Sequence, residues 1–258
     1  MGVMSALILA FTLGLGMSVI DGNRLKSVMD DFKDIINQVI TAVIIPVLPL
    51  YIFGIFLNMT NSGQVAGVMN VFLKIIVVIF VMTVVLLFIQ FFIAGMVGKN
   101  NPLRLFRNML PAYMTALGTQ SSAATIPVTL EQTIRNGVRP DLAGFVIPLC
   151  ATIHLSGSTM KIVACSMAIM LMSGMEINFA QFAGFIMMLG IAMVAAPGVP
   201  GGAIMAALGL LQSMLGFDET AQGLMIALYI AMDSFGTATN VTGDGAIAVI
   251  VDRINSGK

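Results

Sequence analysis

Tryptophan is absent from this 258-residue chain, there are two cysteines and one histidine, and only 9% of the residues are charged. Each shortage excludes something. A soluble domain usually carries about a quarter charged residues, so this chain cannot coat a water-facing surface. With 58% hydrophobic residues and a mean hydropathy of +1.00, the apolar excess must face lipid. Twelve basic residues cancel twelve acidic ones, which removes any electrostatic basis for binding nucleic acid. Cys150 and Cys165 lie in apolar stretches without ligand spacing. They read as small packing residues, neither a disulfide nor a metal pair. The missing tryptophan removes one usual interfacial anchor, while 22 methionines favour adaptable packing. No Ser-His-Asp spacing, metal cluster or phosphate-binding loop points to an enzyme.

What is present is a series of apolar segments. Residues 3–20, 36–58 and 69–97 are each long enough to cross a bilayer, which needs roughly 20 apolar residues. The first lacks a basic leader and a small-residue cleavage site, so it reads as a span and not as a signal peptide. Pro46 and Pro49 should kink the second. The polar stretch Asp21 to Asp34, of mixed charge, reads as a solvated linker.

After residue 98 the pattern changes. A segment flanked by Lys99, Arg104 and Arg107 on one side and by Arg135 and Arg139 on the other is interrupted at 118–125. Basic residues at both ends indicate a hairpin that enters and leaves by one face, which the positive-inside rule places in the cytoplasm. A long apolar segment, 141–174, is broken at His154-Leu155-Ser156-Gly157-Ser158. Residues 178–214 form two apolar arms around Ala196-Pro197-Gly198-Val199-Pro200-Gly201-Gly202, a centre that cannot be continuous helix. That centre is either the tip of a second hairpin, entering from outside, or a surface loop between two short spans. The arms, about 18 and 14 residues, are short for full spans and favour the hairpin. A last helix is expected over 219–252. Two hairpins from opposite faces, each followed by a long helix, form an inverted repeat, and interrupted helices at matching places point to a transporter's binding site.

Inside that last helix, Asp233, Thr237, Asn240 and Asp244 are spaced four, three and four apart and share one face, which Tyr229 extends by a turn. A carboxylate facing lipid is very costly, so this face meets protein, water or a cation. The aspartates are then either buried, protonated or paired with hydroxyls, or they make a site for positive charge. His154 is either a neutral residue hydrogen-bonded in a helix break or a functional group. Lys161 either snorkels, pairs with a nearby carboxylate, or stands in for a coupling cation, as His154 also could.

Asn240-Val241-Thr242-Gly243-Asp244, Thr119-Gln120-Ser121-Ser122 followed by Thr125-Ile126-Pro127-Val128-Thr129, Ile147-Pro148-Leu149-Cys150-Ala151-Thr152-Ile153 and Gly198-Val199-Pro200-Gly201 occur in this order. Together they resemble the motifs of the dicarboxylate/amino acid:cation symporter family, the glutamate-transporter-like elevator carriers. Four motifs over roughly the last 160 residues are far more specific than one short pattern. The resemblance implies an all-α membrane protein, multi-span, with two re-entrant helical hairpins and broken helices. Residues 1–63 would be partial scaffold, the end of the fourth helix and the fifth. Residues 64–258 would be the transport domain: sixth helix, first hairpin 101–136, broken seventh helix 139–175, second hairpin 178–215 and eighth helix 218–254. Family members begin with three further helices and the start of a fourth, so the chain looks N-terminally truncated. It would be a fragment, a mis-started reading frame or half of a split protein, forming a homotrimer when the scaffold is complete.

The resemblance also implies roles. Substrate would meet Ser121 and Ser122 at the first tip, Val199 and Gly201 at the second, Ser158 at the break, and Asp233, Gly236, Thr237 and Asn240 on the last helix. Asp233 would take an amino group; Asn240 and the Ser122 backbone would take a carboxylate. Asp244 and Asn240, with carbonyls near Cys150 and His154, would hold one sodium ion. Carbonyls of Thr152, Met193, Val194 and Ala196 would hold another. Two departures qualify this. Ser156 replaces the family carboxylate used for a third sodium, and Gly236 stands where the glutamate carriers have an arginine that reads an acidic side chain. Without a bidentate partner for a second carboxylate, a neutral amino acid fits better than an acidic one. The expectation is a sodium-coupled symporter (protons being possible) for a serine-, alanine- or threonine-like amino acid, in the bacterial inner membrane. The alternatives are a dicarboxylate or glutamate symporter, an uncoupled channel, or a transport-incompetent fragment.

Overall fold

The computed structural model describes residues 3–20, 23–39, 42–43, 45–61, 65–196 and 200–256. Among them the chain forms twelve α-helices and no strand. The first four are α1 (Val3–Val19), α2 (Asn23–Val39), α3 (Ile45–Asn61) and α4 (Val65–Gly98). One expectation is corrected here. The stretch read as a solvated linker is helical from Asn23 to Val39, and the span expected over 36–58 begins as α3 only at Ile45. The reason is periodic: Leu25, Val28, Phe32, Ile35 and Val39 recur every three or four residues, leaving the charges on the other side. An amphipathic helix of this kind suits a membrane surface. In α3, Pro46 sits in the first turn and Pro49 stays inside the helix.

Met69–Gly98 of α4 is long and apolar enough to span a bilayer, as is Pro140–Met172. Then come two similar units. α5 (Pro102–Thr119) and α6 (Ser122–Arg135) pack as a helical hairpin, followed by α7 (Pro140–Ile153) and α8 (Ser156–Met172), one apolar path broken at residues 154–155. α9 (Phe179–Val194) and α10 (Gly202–Leu215) pack as a second hairpin, followed by α11 (Glu219–Ala231) and α12 (Asp233–Ser256). The last helix, expected as one continuous element over 219–252, is therefore broken in two. It bends by 60° at Met232. The sequence there, Ala231-Met232-Asp233, contains neither proline nor glycine, so no local breaker announces the bend.

Two apolar clusters hold these units. One gathers α8 to α11 around Ile162, Phe185, Leu210 and Met225; the other gathers α5, α7 and α12 around Met109, Ala112, Ile147 and Ala248. α4 serves both, through Ile75 and Ile79 in the first and Leu87 and Phe91 in the second. Cys150 and Cys165 are free and buried, one in each cluster. The N-terminus of α12 lies where the two halves meet, and there the polar side chains converge.

Candidate functional site

Both hairpin tips reach the first turn of α12. At the first tip, Gln120 adopts a left-handed backbone (φ +51°) and its Nε2 donates to Ser234 Oγ at 3.0 Å. The next residue, Ser121, caps α6 by accepting from the Ala124 N–H, and Ser122 is buried behind it. At the second tip, Gly201 also lies in the left-handed region (φ +74°), which a glycine adopts without strain. Its N–H donates to Asp233 Oδ2 at 2.8 Å. Two loops far apart in sequence thus grip two neighbouring residues. Val199, with Pro197 and Gly198, lies outside the described residues.

Asp233 is 4% exposed, and its other oxygen is also engaged. Lys161, from α8, donates to Asp233 Oδ1 at 3.2 Å, to the Met232 carbonyl at 3.2 Å and to the Tyr229 carbonyl at 3.3 Å. Of the readings left open for Lys161, snorkelling is excluded: the side chain is fully buried and ion-paired. Gly236 makes room for it. A Cβ at that position would stand 2.9 Å from Lys161 Nζ. The space vacated at 236 is filled by an ammonium from another helix.

One turn further along α12, Asn240 works as a remote cap. The residue before α8, Leu155, has no side chain able to accept from the helix's first N–H groups. Asn240 Oδ1 does so instead, at 2.7 Å from Gly157 N and 3.3 Å from Ser158 N. Asn240 Nδ2 donates to Ser158 Oγ at 3.0 Å, and Tyr229 OH donates to the same oxygen at 3.2 Å. This requires the helices to touch: a Cβ on Gly157 would lie 2.7 Å from the Gly236 carbonyl. Thr237 is buried between these groups on the same face.

The remaining residues of the stripe form a second cluster. His154, the residue that ends α7, is hydrogen-bonded to Asp244 through Nδ1 and Oδ1 at 2.7 Å. Gln90 of α4 lies against them. Its Nε2 donates to Ser156 Oγ at 3.2 Å, while its Oε1 is buried without a hydrogen-bond partner, as is Thr242 Oγ1. A Cβ on Gly243 would meet both Gln90 Oε1 and His154 Cε1. Gln90 was missed in the sequence reading, although a carboxamide in the middle of an apolar span is a signal of its own.

The expected cation ligands fit a sodium ion in part. Asp244 and the orphaned Gln90 oxygen have acceptor capacity to spare, which suits a hard cation. The Asn240 carbonyl is already committed to two N–H groups, and the Cys150 carbonyl accepts from the His154 N–H. Of the second set, Thr152 Oγ1 donates to the Leu149 carbonyl, the Met193 carbonyl accepts from the Ala196 N–H at 3.2 Å, and Val194 and Ala196 lie at the end of α9. α7 and α9, which carry the two parts of this set, touch.

Beside the tips opens a cavity of about 620 Å³, lined by Phe53 and Phe56 of α3, Gln120, Pro200, Gly201 and Asp233. It gives the buried carboxylate an apolar approach between α3 and both hairpins.

Known proteins similar to this chain are transporters. The model of the family described as the sodium:dicarboxylate symporter family matches residues 1–254. Excitatory amino acid transporter 1 of Rattus norvegicus is 29% identical over 265 residues, which cover 98% of this chain and 48% of that protein. The human protein of the same name is 28% identical over 254 residues, 96% of this chain and 46% of the relative. The serine/threonine transporter SstT of Acinetobacter baumannii (strain AYE) is 29% identical over 252 residues, 95% of this chain and 62% of the relative. The chain thus spans about half the length of the first relatives it matches. These relatives are transporters, not enzymes.

Proposed function

We propose that this chain, which belongs to the sodium:dicarboxylate symporter family, carries the transport site of a cation-coupled symporter for a small neutral amino acid. The observation that supports this most is the meeting of both hairpin tips on Asp233 and Ser234, beside the buried hydroxyl and amide of Ser158 and Asn240. On this reading the hairpins are re-entrant, and residues 64–258 move as one body past a scaffold to which residues 1–63 contribute, within a trimer in the plasma membrane. The substrate carboxylate meets the N-terminal end of α6 at Ser121 and Ser122, where the positive end of the helix dipole favours an anion. The substrate ammonium takes Asp233 Oδ2 from the Gly201 N–H, so that binding releases or reshapes the second tip. Asp244, with Gln90 and His154 beside it, serves the coupling cation.

A second reading, a dicarboxylate symporter, is favoured by one observation. Lys161 already neutralises Asp233, so a substrate without an amino group leaves no charge unpaired there.

Uptake of labelled serine, alanine, aspartate and succinate into proteoliposomes under a sodium gradient tests both. Saturable sodium-driven uptake of serine or alanine supports the first reading. Succinate outcompeting both supports the second, and a current without substrate accumulation sinks the two together.

A further inference from the structure

Lys161 is the most completely buried charged side chain among the described residues. An ammonium has three N–H donors, and here each has an oxygen: the Tyr229 carbonyl at 3.3 Å, the Met232 carbonyl at 3.2 Å and Asp233 Oδ1 at 3.2 Å. The Tyr229 ring closes a fourth side, with Nζ 3.5 Å from its centroid. The bend between α11 and α12 creates this enclosure, because it points carbonyls of two residues on its N-terminal side and the carboxylate on its C-terminal side at one point. Two carbonyls that share their lone pairs with helical N–H groups, one carboxylate and a π face can together hold a monovalent cation, and the single negative charge matches a single positive one. Nothing in the sodium ligand sets described above uses these carbonyls.

We propose that Lys161 is a tethered cation: its ammonium occupies a monovalent-cation site made by Tyr229, Met232 and Asp233, and so replaces one ion that would otherwise come from solution. Two features of the neighbourhood follow. Gly236 is bare because the ammonium lies where its side chain would be. Asp233 Oδ2 stays available to the Gly201 N–H whether or not salt is present, so the second tip is latched without a dissolved ion. This inference rests on the transport reading only for its consequence, and the site itself can be tested by binding.

The experiment uses the full chain in detergent and follows Tm against sodium, potassium, ammonium, methylammonium and tetramethylammonium, with choline holding ionic strength constant. The wild type is compared with Lys161→Ala and with the double variant Lys161→Ala/Asp233→Asn. A vacated site that accepts a cation steepens the dependence of stability on cation concentration by about one bound ion. The expected result is that steepening in Lys161→Ala, recovery of most of the lost Tm by ammonium or methylammonium but not by tetramethylammonium, and its disappearance in the double variant. An unchanged slope overturns the proposal, as does equal recovery by tetramethylammonium or persistence of the extra ion without Asp233. A Lys161→Ala protein recovered only in ammonium, methylammonium or alkali salt supports it. One recovered in none of these salts counts against it, since a site that cations cannot refill is not a cation site. Failure of uptake by the wild type, with this binding result intact, removes the transport reading and leaves the tethered cation standing.

Discussion

Asn240 shows how much one side chain can hold at this site. Its amide caps a helix that carries no cap of its own and fixes the Ser158 hydroxyl. Asn240→Ala leaves the buried N–H groups of Gly157 and Ser158 without acceptors, which costs about 1–3 kcal/mol. The expected outcome is a lower Tm in detergent, with Asn240→Asp, which keeps an acceptor, losing much less. Asp233→Asn is expected to do more, because it strands the Lys161 charge in a fully buried site. Breaking a buried ion pair costs about 3–5 kcal/mol, and serine uptake should vanish in the same variant. Uptake at the wild-type rate by a stable Asp233→Asn protein would show that this carboxylate does not face the substrate. At this scale the sequence was informative about which residues matter. The four-three-four spacing of Asp233, Thr237, Asn240 and Asp244 put them on one face, and they are buried there. It did not reveal partners. That Lys161 chooses Asp233 and His154 chooses Asp244 depends on how α7 and α8 cross α12.

Among the elements, the bend at Met232 decides most. It divides the last apolar path as the His154–Leu155 break divides the earlier one, so both halves of the repeat end in a broken helix. The first break was legible because Ser, Gly and Ser cluster there. The second has no such marker, and its cause is packing: Asp233 is held from two sides, by Lys161 and by the second tip. The helices themselves are tightly pressed where α8 starts. Gly157→Ala forces a methyl into the Gly236 carbonyl and Thr239, neither of which is a flexible side-chain end. A cost of about 1–3 kcal/mol is expected from such overpacking, read as a fall in Tm. Gly184→Ala, whose new methyl meets only Met214 at 3.8 Å, should be neutral or stabilising by about 0.5–1 kcal/mol through the unfolded chain and helix propensity. Gly201→Ala acts on the second tip. Its positive φ costs an alanine about 1–2 kcal/mol, so the contact with Asp233 should open more often, and limited proteolysis near residue 200 should speed up while global Tm moves little. Equal proteolysis in variant and wild type would show that this glycine does not control opening of the second tip.

The whole molecule is organised by where its apolar surface goes. α4 buries Leu87 and Phe91 against the protein but leaves Val84 and Phe88 widely exposed. Spin labels placed at Val84 and Phe88 in liposomes are expected to collide readily with oxygen and poorly with a water-soluble nickel chelate, whereas a label at Leu87 meets neither. Fast collisions with the nickel chelate at Phe88 would place this face in water and contradict the lipid-facing assignment. Low charge and long apolar runs marked a multi-span membrane protein in the sequence, the interruptions at 118–125 and 196–202 suggested two hairpins, and residue spacing gave a polar face on the last helix. Those features depend on composition and on spacing of a few residues, which is local information. The helix from Asn23 to Val39 was legible too, had its three-to-four period been followed in place of its charge. Only the tertiary structure decided that both tips close on the start of α12, that the last helix bends at Met232 and that Lys161 sits over Gly236. Each of these joins groups about 30 to over 110 residues apart, and contacts at that distance are selected by how whole helices pack, which no single stretch of sequence encodes.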